Sequence, residues 1–348
     1  MGRESRQRRR APSYADVARA AGVSQTTVSF VLNERTDIPL LATTRERVLS
    51  AARDLGYRRN SLARSLVHGR TQTIGMLVPQ LDSSFSAAIA QGVQEGLESE
   101  DYRVLLGHAR HDATVEARQV ELFLEHRVDG IIAVTDEFTI EHLEDWLQEL
   151  LMQNTPCVLV DDSSFCGRAD CVVSDDFHGV RQVVEHLSSL GHRRIAHLAG
   201  GGRVSSGRDR LAAFQSAAED AGIASEVVVV PSSGYVLTPW NSRVRELMGR
   251  SPAPTALFCA NDTVAAEALD ALDEMGIRVP GDVSVVGYAG FEVGRALKLT
   301  SVNQHPQEMG RVAARRLLDR IGNRDLPPQL FTLPVELEPR RTSAQAPN

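Results

Sequence analysis

Cysteine is scarce: the 348 residues hold 4, at positions 157, 166, 171 and 259. None forms a Cys-x-x-Cys pair or a metal-ligand spacing, which excludes a disulfide framework and a zinc module. The four read as small, reduced apolar residues. No run of about 18 apolar residues exists, so a membrane-spanning helix is excluded as well. The basic start, Met1-Gly-Arg-Glu-Ser-Arg-Gln-Arg-Arg-Arg10, is followed by no apolar segment and does not read as a secretory signal, so the expected location is the cytoplasm.

Catalytic constellations are equally sparse. Gly200-Gly-Gly-Arg-Val-Ser-Ser-Gly207 looks like a phosphate loop, but it lacks the Gly-Lys-Ser/Thr ending and no Lys lies nearby. His108 and His111 stand three apart, yet they follow a strand, fall in a loop and have no third ligand in reach. The pairs Asp161-Asp162 and Asp175-Asp176 have no Ser/His or Cys/His partner at a diagnostic spacing. Neither an enzyme, a metal nor a cofactor is expected.

What is present is charge segregation. Residues 1–70 carry 14 Arg and no Lys against 6 acidic residues, while the remainder carries 24 basic and 39 acidic residues. A basic module joined to an acidic one points to a polyanion partner for the first and solubility for the second; a merely solvated basic surface is the alternative. At this length about two or three domains are expected, and the 42% apolar content suffices for a sizeable core.

Tyr14 to Asn33 reads as two short helices around a tight turn at Gly22. Ser13 is placed to cap the first, with Asp16 completing an imperfect capping box, and Ser24 caps the second. In the second helix Val28, Val31 and Leu32 share one face, and Gln25, Thr26, Ser29 and Phe30 share another. A row of short polar side chains on a helix after a tight turn suits the DNA major groove. Thr43-x-x-Glu46 predicts a capping box for a third helix with Val48, Ala52 and Leu55 inward, stopped by Gly56. From Thr73 onward short apolar runs alternate with amphipathic helices. Strands are expected at Ile74–Val78, Val104–Gly107, Ile131–Val134, Val158–Val160, Ile195–Ala199, Val227–Val230, Ala256–Cys259 and Val283–Val286. Between them fall helices marked by Ile89/Val93/Leu97, Val180/Val184/Leu187 and Leu211/Phe214/Ala218. This alternation predicts an α/β core of doubly wound parallel sheets, with too many units for one open sheet and hence two lobes enclosing a cleft.

The sequence resembles the lactose-repressor (LacI/GalR) family of bacterial transcription regulators nearly end to end. The matching segments are Asp16-Val-Ala-Arg-Ala-Ala-Gly-Val-Ser24, Thr27-Val-Ser29, Val31-Leu-Asn33, Thr44-Arg-Glu-Arg-Val48, Leu55-Gly-Tyr57 and Leu62-Ala-Arg-Ser-Leu66. They continue through Arg127-Val-Asp-Gly-Ile-Ile132, Leu190-Gly-His-Arg-Arg-Ile195, Arg208-Asp-Arg-Leu-Ala212, Ala260-Asn-Asp262 and Val279-Pro-Gly-Asp-Val-Ser-Val-Val-Gly287. The resemblance implies a helix-turn-helix headpiece, a hinge helix, a core like the periplasmic sugar-binding proteins, and homodimers that meet two half-sites. The implied division is a basic start (1–12), headpiece (13–58), hinge helix and linker (59–70), effector-binding and dimerisation core (71–340) and polar tail (341–348). The tail shows no heptads, which favours dimers over tetramers.

The resemblance places Ser24, Gln25, Thr26, Thr27, Ser29, Phe30, Asn33 and Tyr57 of the headpiece, and Asn60, Ala63, Arg64 and Leu66 of the hinge, on DNA. Gln25 suits adenine, and Thr26 offers a hydroxyl and a methyl. Phe30 replaces a residue that is often Arg; it either presses on a thymine methyl or fills the headpiece core. Leu66 matches a hinge leucine that wedges into a central base step. In the core the implied effector contacts are Phe85, Arg210, Tyr235, Asn261, Tyr288 and Gln304, although Arg210 pairing with Asp209 or Asp176 and Phe85 as plain core are the structural alternatives. Two departures stand out. Ala289 replaces the usual pocket Asp, and Ser83-Ser84 replaces Asn-Pro. Loss of an acceptor disfavours a polyol, and a neutral pocket that keeps Arg210 leans toward an anion. The expected function is a dimeric regulator, most simply a repressor, modulated by a small-molecule effector; a regulator without effector, one answering to a protein, or an activator would use the same DNA-binding mode.

Overall fold

The computed structural model describes residues 12–32, 38–57, 69–135, 140–200, 205–229 and 240–347. The expectations for Asn33, Asn60, Ala63, Arg64, Leu66 and Tyr235 lie outside the described residues. The chain divides into two compact units, Met1–Thr71 and Gln72–Asn348.

The first unit holds three helices: α1 (Tyr14–Ala21), α2 (Gln25–Leu32) and α3 (Ala42–Asp54). The Asp16 carboxylate accepts from the Ser13 backbone N–H at 2.9 Å and from its hydroxyl at 2.7 Å, so the first orphan donors of α1 are satisfied where the sequence placed them. Gly22 takes φ +64°, a conformation open to glycine at no cost, and turns the chain into α2. Val17, Val28, Val31, Leu32 and Val48 close a small apolar core, with Tyr14, Val23, Leu40 and Tyr57 against it. The expected cap on α3 is not formed. The helix starts at Ala42 after Leu41, and the Leu41 carbonyl receives Thr44 N and Arg45 N. Leu40 packed on the core fixes the point of entry, so Thr43 falls inside the first turn.

The second unit contains two parallel-sheet lobes. Lobe 1 is built from β1 (Thr73–Val78), α4 (Ser84–Leu97), β2 (Arg103–His108), α5 (Ala113–Glu125), β3 (Gly130–Val134), α6 (Ile140–Met152), β4 (Cys157–Val160) and β5 (Asp170–Ser174). The chain then enters lobe 2 through α7 (Asp176–Ser189), β6 (Arg194–Ala199), α8 (Ser205–Asp220), β7 (Ala224–Val229), α9 (Trp240–Met248), β8 (Ala256–Cys259), α10 (Asp262–Glu274), β9 (Ser284–Ala289), α11 (Glu292–Ala296) and β10 (Thr300–Asn303). It returns to lobe 1 for α12 (Pro306–Gly322) and β11 (Leu330–Leu333), and ends in lobe 2 with β12 (Glu336–Glu338). The sheet orders are β11-β5-β4-β3-β1-β2 and β12-β10-β9-β8-β6-β7.

Both faces of each sheet are covered, which is why the strands read as apolar runs. Ile74, Met76 and Val78 point to a cluster with α4 and α12, while Leu77 points to one with α5 and α6. In lobe 2, Leu257 and Cys259 face α9 and α10, and Ala256 and Phe258 face α7 and α8. The expectation of parallel pairing holds except at β12, which runs antiparallel to β10. Four strands, β5, β10, β11 and β12, were not expected. The Cys reading also needs a correction: Cys157, Cys171 and Cys259 are buried, but Cys166 is exposed.

Two further features tie the lobes' elements down. A Cβ at Gly310 would lie 2.1 Å from the Ile89 carbonyl oxygen, and one at Gly92 would lie 1.9 Å from that of Gln307, so α4 and α12 pack backbone to backbone. The segment read as a polar tail is instead hydrogen-bonded onto lobe 2: Thr342 Oγ1 donates to the Val285 carbonyl at 2.7 Å, Ala346 N to the Leu190 carbonyl at 2.8 Å, and His192 contacts the Ala344 carbonyl at 3.0 Å. The Thr342 hydroxyl stands in for a ladder group, donating to the Val285 carbonyl and accepting from Thr300 N, while the Ser343 hydroxyl meets the side chains of His186 and Thr300. Gly310→Ala is expected to lower the unfolding free energy by about 1–3 kcal/mol despite its helix propensity, because a well-packed contact must open. Urea unfolding of the full chain checks this, and an unchanged midpoint would contradict the close approach.

Candidate functional site

Each unit carries one candidate surface. On the first, the Ser24 hydroxyl accepts from Thr27 N at 3.1 Å and lies 2.9 Å from the Thr27 hydroxyl, starting α2 where the sequence predicted it. Val28, Val31 and Leu32 are buried, whereas Gln25 and Thr26 are exposed, with Ser29 and Phe30 half-buried. Phe30 stands outside the apolar cluster of this unit, so of its two readings the outward one is favoured. Tyr57 stacks on Tyr14 with ring centroids 5.6 Å apart and caps the core.

On the second unit, a cavity of about 390 Å³ opens at the carboxyl ends of the strands, with walls from both lobes. Lobe 1 contributes Ser83, Phe85, His111, Thr135 and Asp161; lobe 2 contributes Ser206, Arg210, Asn261, Glu267 and Phe291, and the crossover after β10 adds Gln304. Phe85 is half-buried at the start of α4, which Ser83 caps, and its ring stands 6.2 Å from that of Phe291. Asn261 caps α10 by accepting from Val264 N at 2.9 Å, which fixes the side chain at the cavity wall. Arg210, Phe85, Asn261 and Gln304 are therefore brought together as expected.

Tyr288 is not. It is fully buried and donates its hydroxyl to Asp176 Oδ1 at 2.7 Å, behind the cavity wall. The same oxygen accepts from Ser174 at 2.9 Å, and Ser174 in turn accepts from Gln304 Nε2 at 2.7 Å. Arg210 Nε stands 3.2 Å from Asp176 Oδ1, and the guanidinium lies over the Tyr288 ring at 4.3 Å. A delocalised cation suits that sandwich because one face rests on a ring while the edge meets a carboxylate. Burial first, and then the neighbouring Asp176 charge, raise the Tyr288 phenol well above its ordinary range, so it stays a donor.

Sequence reasoning missed Asp161. It follows the last residue of β4, takes φ +73°, and lines the cavity. Its Oδ2 accepts from Ser206 at 3.1 Å, and its Oδ1 lies 3.9 Å from Arg210, a contact that joins lobe 1 to lobe 2. Burial pushes its carboxyl up to about 7, against the lowering effect of Arg210. The rule that ligands bind beyond the carboxyl ends of strands was the available signal. Asp162 beside it accepts from Ser164 and from Ser205 N, seating the start of the helix that carries Arg210. The leaning toward an anion is thus corrected: Arg210 faces two carboxylates, and Asp82 and Glu267 line the same cavity. Among the described residues no group of three or more His, Cys, Asp or Glu is arranged to hold a metal, and no helix is long and apolar enough to cross a membrane.

A family model for bacterial regulatory proteins of the lacI type matches residues 14–60, and one for a periplasmic binding protein-like domain matches residues 184–343. The HTH-type transcriptional repressor PurR of Escherichia coli O1:K1 is 33% identical over 341 residues, spanning 95% of this chain and 97% of that protein. The chain belongs to the lacI family. Among solved structures, the lac repressor dimer bound to operator and the anti-inducer ONPF superposes with a TM-score of 0.82 at 28% identity, covering 96% of this chain and all of that one. A lacI-family regulator from Enterococcus faecium with bound ribose gives 0.70 at 28% identity over 79% of this chain and all of that one.

The raised Asp161 carboxyl has a consequence for stability. Its folded pKa lies above its unfolded value of 3.8, so the folded state holds the proton longer and this group's contribution falls as pH rises from about 4 to about 7. Asp161→Asn is expected to remove that slope, so the melting-temperature advantage of the variant grows between pH 5 and 8. Parallel curves for the two proteins would contradict the buried, under-neutralised carboxylate.

Proposed function

We propose that this lacI-family chain is a transcriptional repressor that binds a pseudo-palindromic operator as a homodimer and is set by a small molecule in the interlobe cavity. The observation that carries the reading is the pairing of α2, polar outward and apolar inward, with a two-lobed cavity built on the same chain. Its setting is the cytoplasm, at the nucleoid, and its work is binding rather than catalysis.

One α2 spans only a half-site, so two copies related by a two-fold axis are needed to read both halves. Ser24, Gln25, Thr26, Thr27, Ser29 and Phe30 meet base edges and backbone in the major groove, with Gln25 on adenine and the Phe30 ring against a thymine methyl. Asn33 and Tyr57 add contacts from the headpiece. The segment 59–70 forms the hinge, in which Asn60, Ala63 and Arg64 follow the minor groove and Leu66 opens a central base step. The headpiece spans 13–58, and the core extends from 71 through the strap that ends at 346.

In the cavity a ligand lies against Phe85, with Arg210, Asn261, Gln304 and Asp161 as its polar contacts, while Tyr288 acts from behind by holding Asp176. A ligand that engages Asp161 and Arg210 together changes the relation of the two lobes. That shift decides whether the paired hinges can form on DNA, so effector and operator affinities are linked reciprocally.

Gln25→Ala is expected to cost about 1–3 kcal/mol at the selected operator and little on unrelated DNA. Fluorescence anisotropy on both duplexes, with the operator selected from random DNA by the full chain, checks this. Equal losses on both DNAs would remove Gln25 as a base reader. Operator affinity is also expected to fall steeply with salt, as an Arg-rich headpiece on phosphates requires.

A further inference from the structure

The charge of the cavity says more about its occupant than its membership of a family does. Three carboxylates line it: Asp82 and Asp161 from lobe 1 and Glu267 from lobe 2. Among the described residues that line it, Arg210 supplies the one permanent positive charge, and that charge is already shared between Asp176, behind the wall at 3.2 Å, and Asp161 at 3.9 Å. Asp161 Oδ1 is buried and receives no hydrogen bond, since Arg210 stands beyond hydrogen-bond distance. An ionised carboxylate oxygen left so in a low-dielectric wall is costly, and the cost is relieved by a donor that carries charge. Glu267 sits four residues after Thr263 on the same face of α10, and both line the cavity. Two aromatic rings, Phe85 and Phe291, supply apolar walls from opposite lobes, suited to a ring or other apolar body.

We infer that the cavity takes a cationic small molecule, whose protonated amine lies between Asp161 of lobe 1 and Glu267 of lobe 2 while its ring or carbon body lies against Phe85 and Phe291. The inference rests on the regulator reading above and deepens it by naming the ligand's chemical class. A neutral polyol donates hydroxyls to these acceptors, which offsets the loss of the usual pocket Asp at Ala289, but it brings no counter-charge, and an anion would add to the repulsion. An amine donates to the oxygen that receives no hydrogen bond and, by meeting a carboxylate from each lobe, draws the lobes together. Burial already raises both carboxyls above their ordinary range, to about 7 for Asp161 against the lowering effect of Arg210, and for Glu267 against a backbone hydrogen bond from Trp240.

Isothermal titration of the full chain with matched probes tests this. One set shares a phenol ring and differs in the head group: tyramine, tyrosol and 4-hydroxyphenylacetate. A second shares a hexose: glucosamine, glucose and glucuronate. The amine is expected to bind at least about tenfold more tightly than its neutral partner in one or both sets, with the acid weakest. Asp161→Asn and Glu267→Gln, which keep side-chain size, are each expected to bring the amine down to the level of the neutral compound. Neutral or acidic members binding as well as the amine would overturn the inference, as would failure of both amines to bind. Operator affinity measured on the same samples separates the two readings. Intact operator binding with no preference for amines sinks only the ligand class, whereas absent operator binding sinks the regulator reading itself. The melting temperature of each variant without ligand verifies that it folds.

Discussion

One buried oxygen organises the cleft. Asp176 Oδ1 takes a hydroxyl from Tyr288, a hydroxyl from Ser174 and the guanidinium edge of Arg210, each within 3.2 Å. Those partners come from β9, β5 and α8, so the carboxylate pins the end of a lobe 1 strand to two elements of lobe 2. A buried carboxylate is stable only if paired and hydrogen-bonded, and this one has both kinds of partner. Remove any of them and the others lose their aim: Arg210 would slide off the Tyr288 ring, and Gln304, held through Ser174, would leave the cavity wall. The site is thus a set of side chains positioned by one carboxylate, with cavity-lining groups in front and a rigid anchor behind.

The same node explains how two lobes can act as one device. The chain crosses between them after β5, after β10 and after β11, and the anchor sits beside the first two crossings. Stiff packing within each lobe, such as the backbone contact of α4 with α12 and the strap over lobe 2, leaves relative lobe motion as the soft coordinate. Asp161 and Arg210 face each other across that coordinate at 3.9 Å, close enough to respond to a ligand and too far to be locked by a hydrogen bond.

Much of this was legible beforehand, and the remainder was hidden for identifiable reasons. Gly22, Ser24 and the Val28/Val31/Leu32 stripe specify α2 locally, so its reading face could be drawn from sequence. Strands buried on both faces announce themselves as apolar runs. The strands Thr300–Asn303 and Glu336–Glu338 do not, because their stability comes from pairing with residues far away in the chain rather than from their own pattern. Residues 341–346 read as a tail for the same reason, since Thr342 and Ala344 gain meaning only beside Val285 and Ser284. Of the residues expected to contact an effector, Arg210, Phe85, Asn261 and Gln304 line one cavity. Tyr288 followed a strand pattern that also fits a buried face, and alternation alone could not tell the cavity side from the core side. In the sequence Asp161 is half of an acidic pair with no catalytic partner, and its place in the cavity wall comes from its position at the end of β4.

Under the proposed function, the state of the cleft anchor sets the affinity for operator DNA. The most direct measurement is the operator dissociation constant of the full chain without ligand, for the wild type and for Asp176→Asn, alongside a non-specific duplex. Coupling of this kind is typically worth about 5-fold to 150-fold in affinity. A shift of at least about fivefold on the operator, in either direction, is expected, with non-specific binding unchanged. Identical operator affinity in a variant shown to be folded would mean that the cleft and the DNA-reading helix are not linked, and would contradict the account.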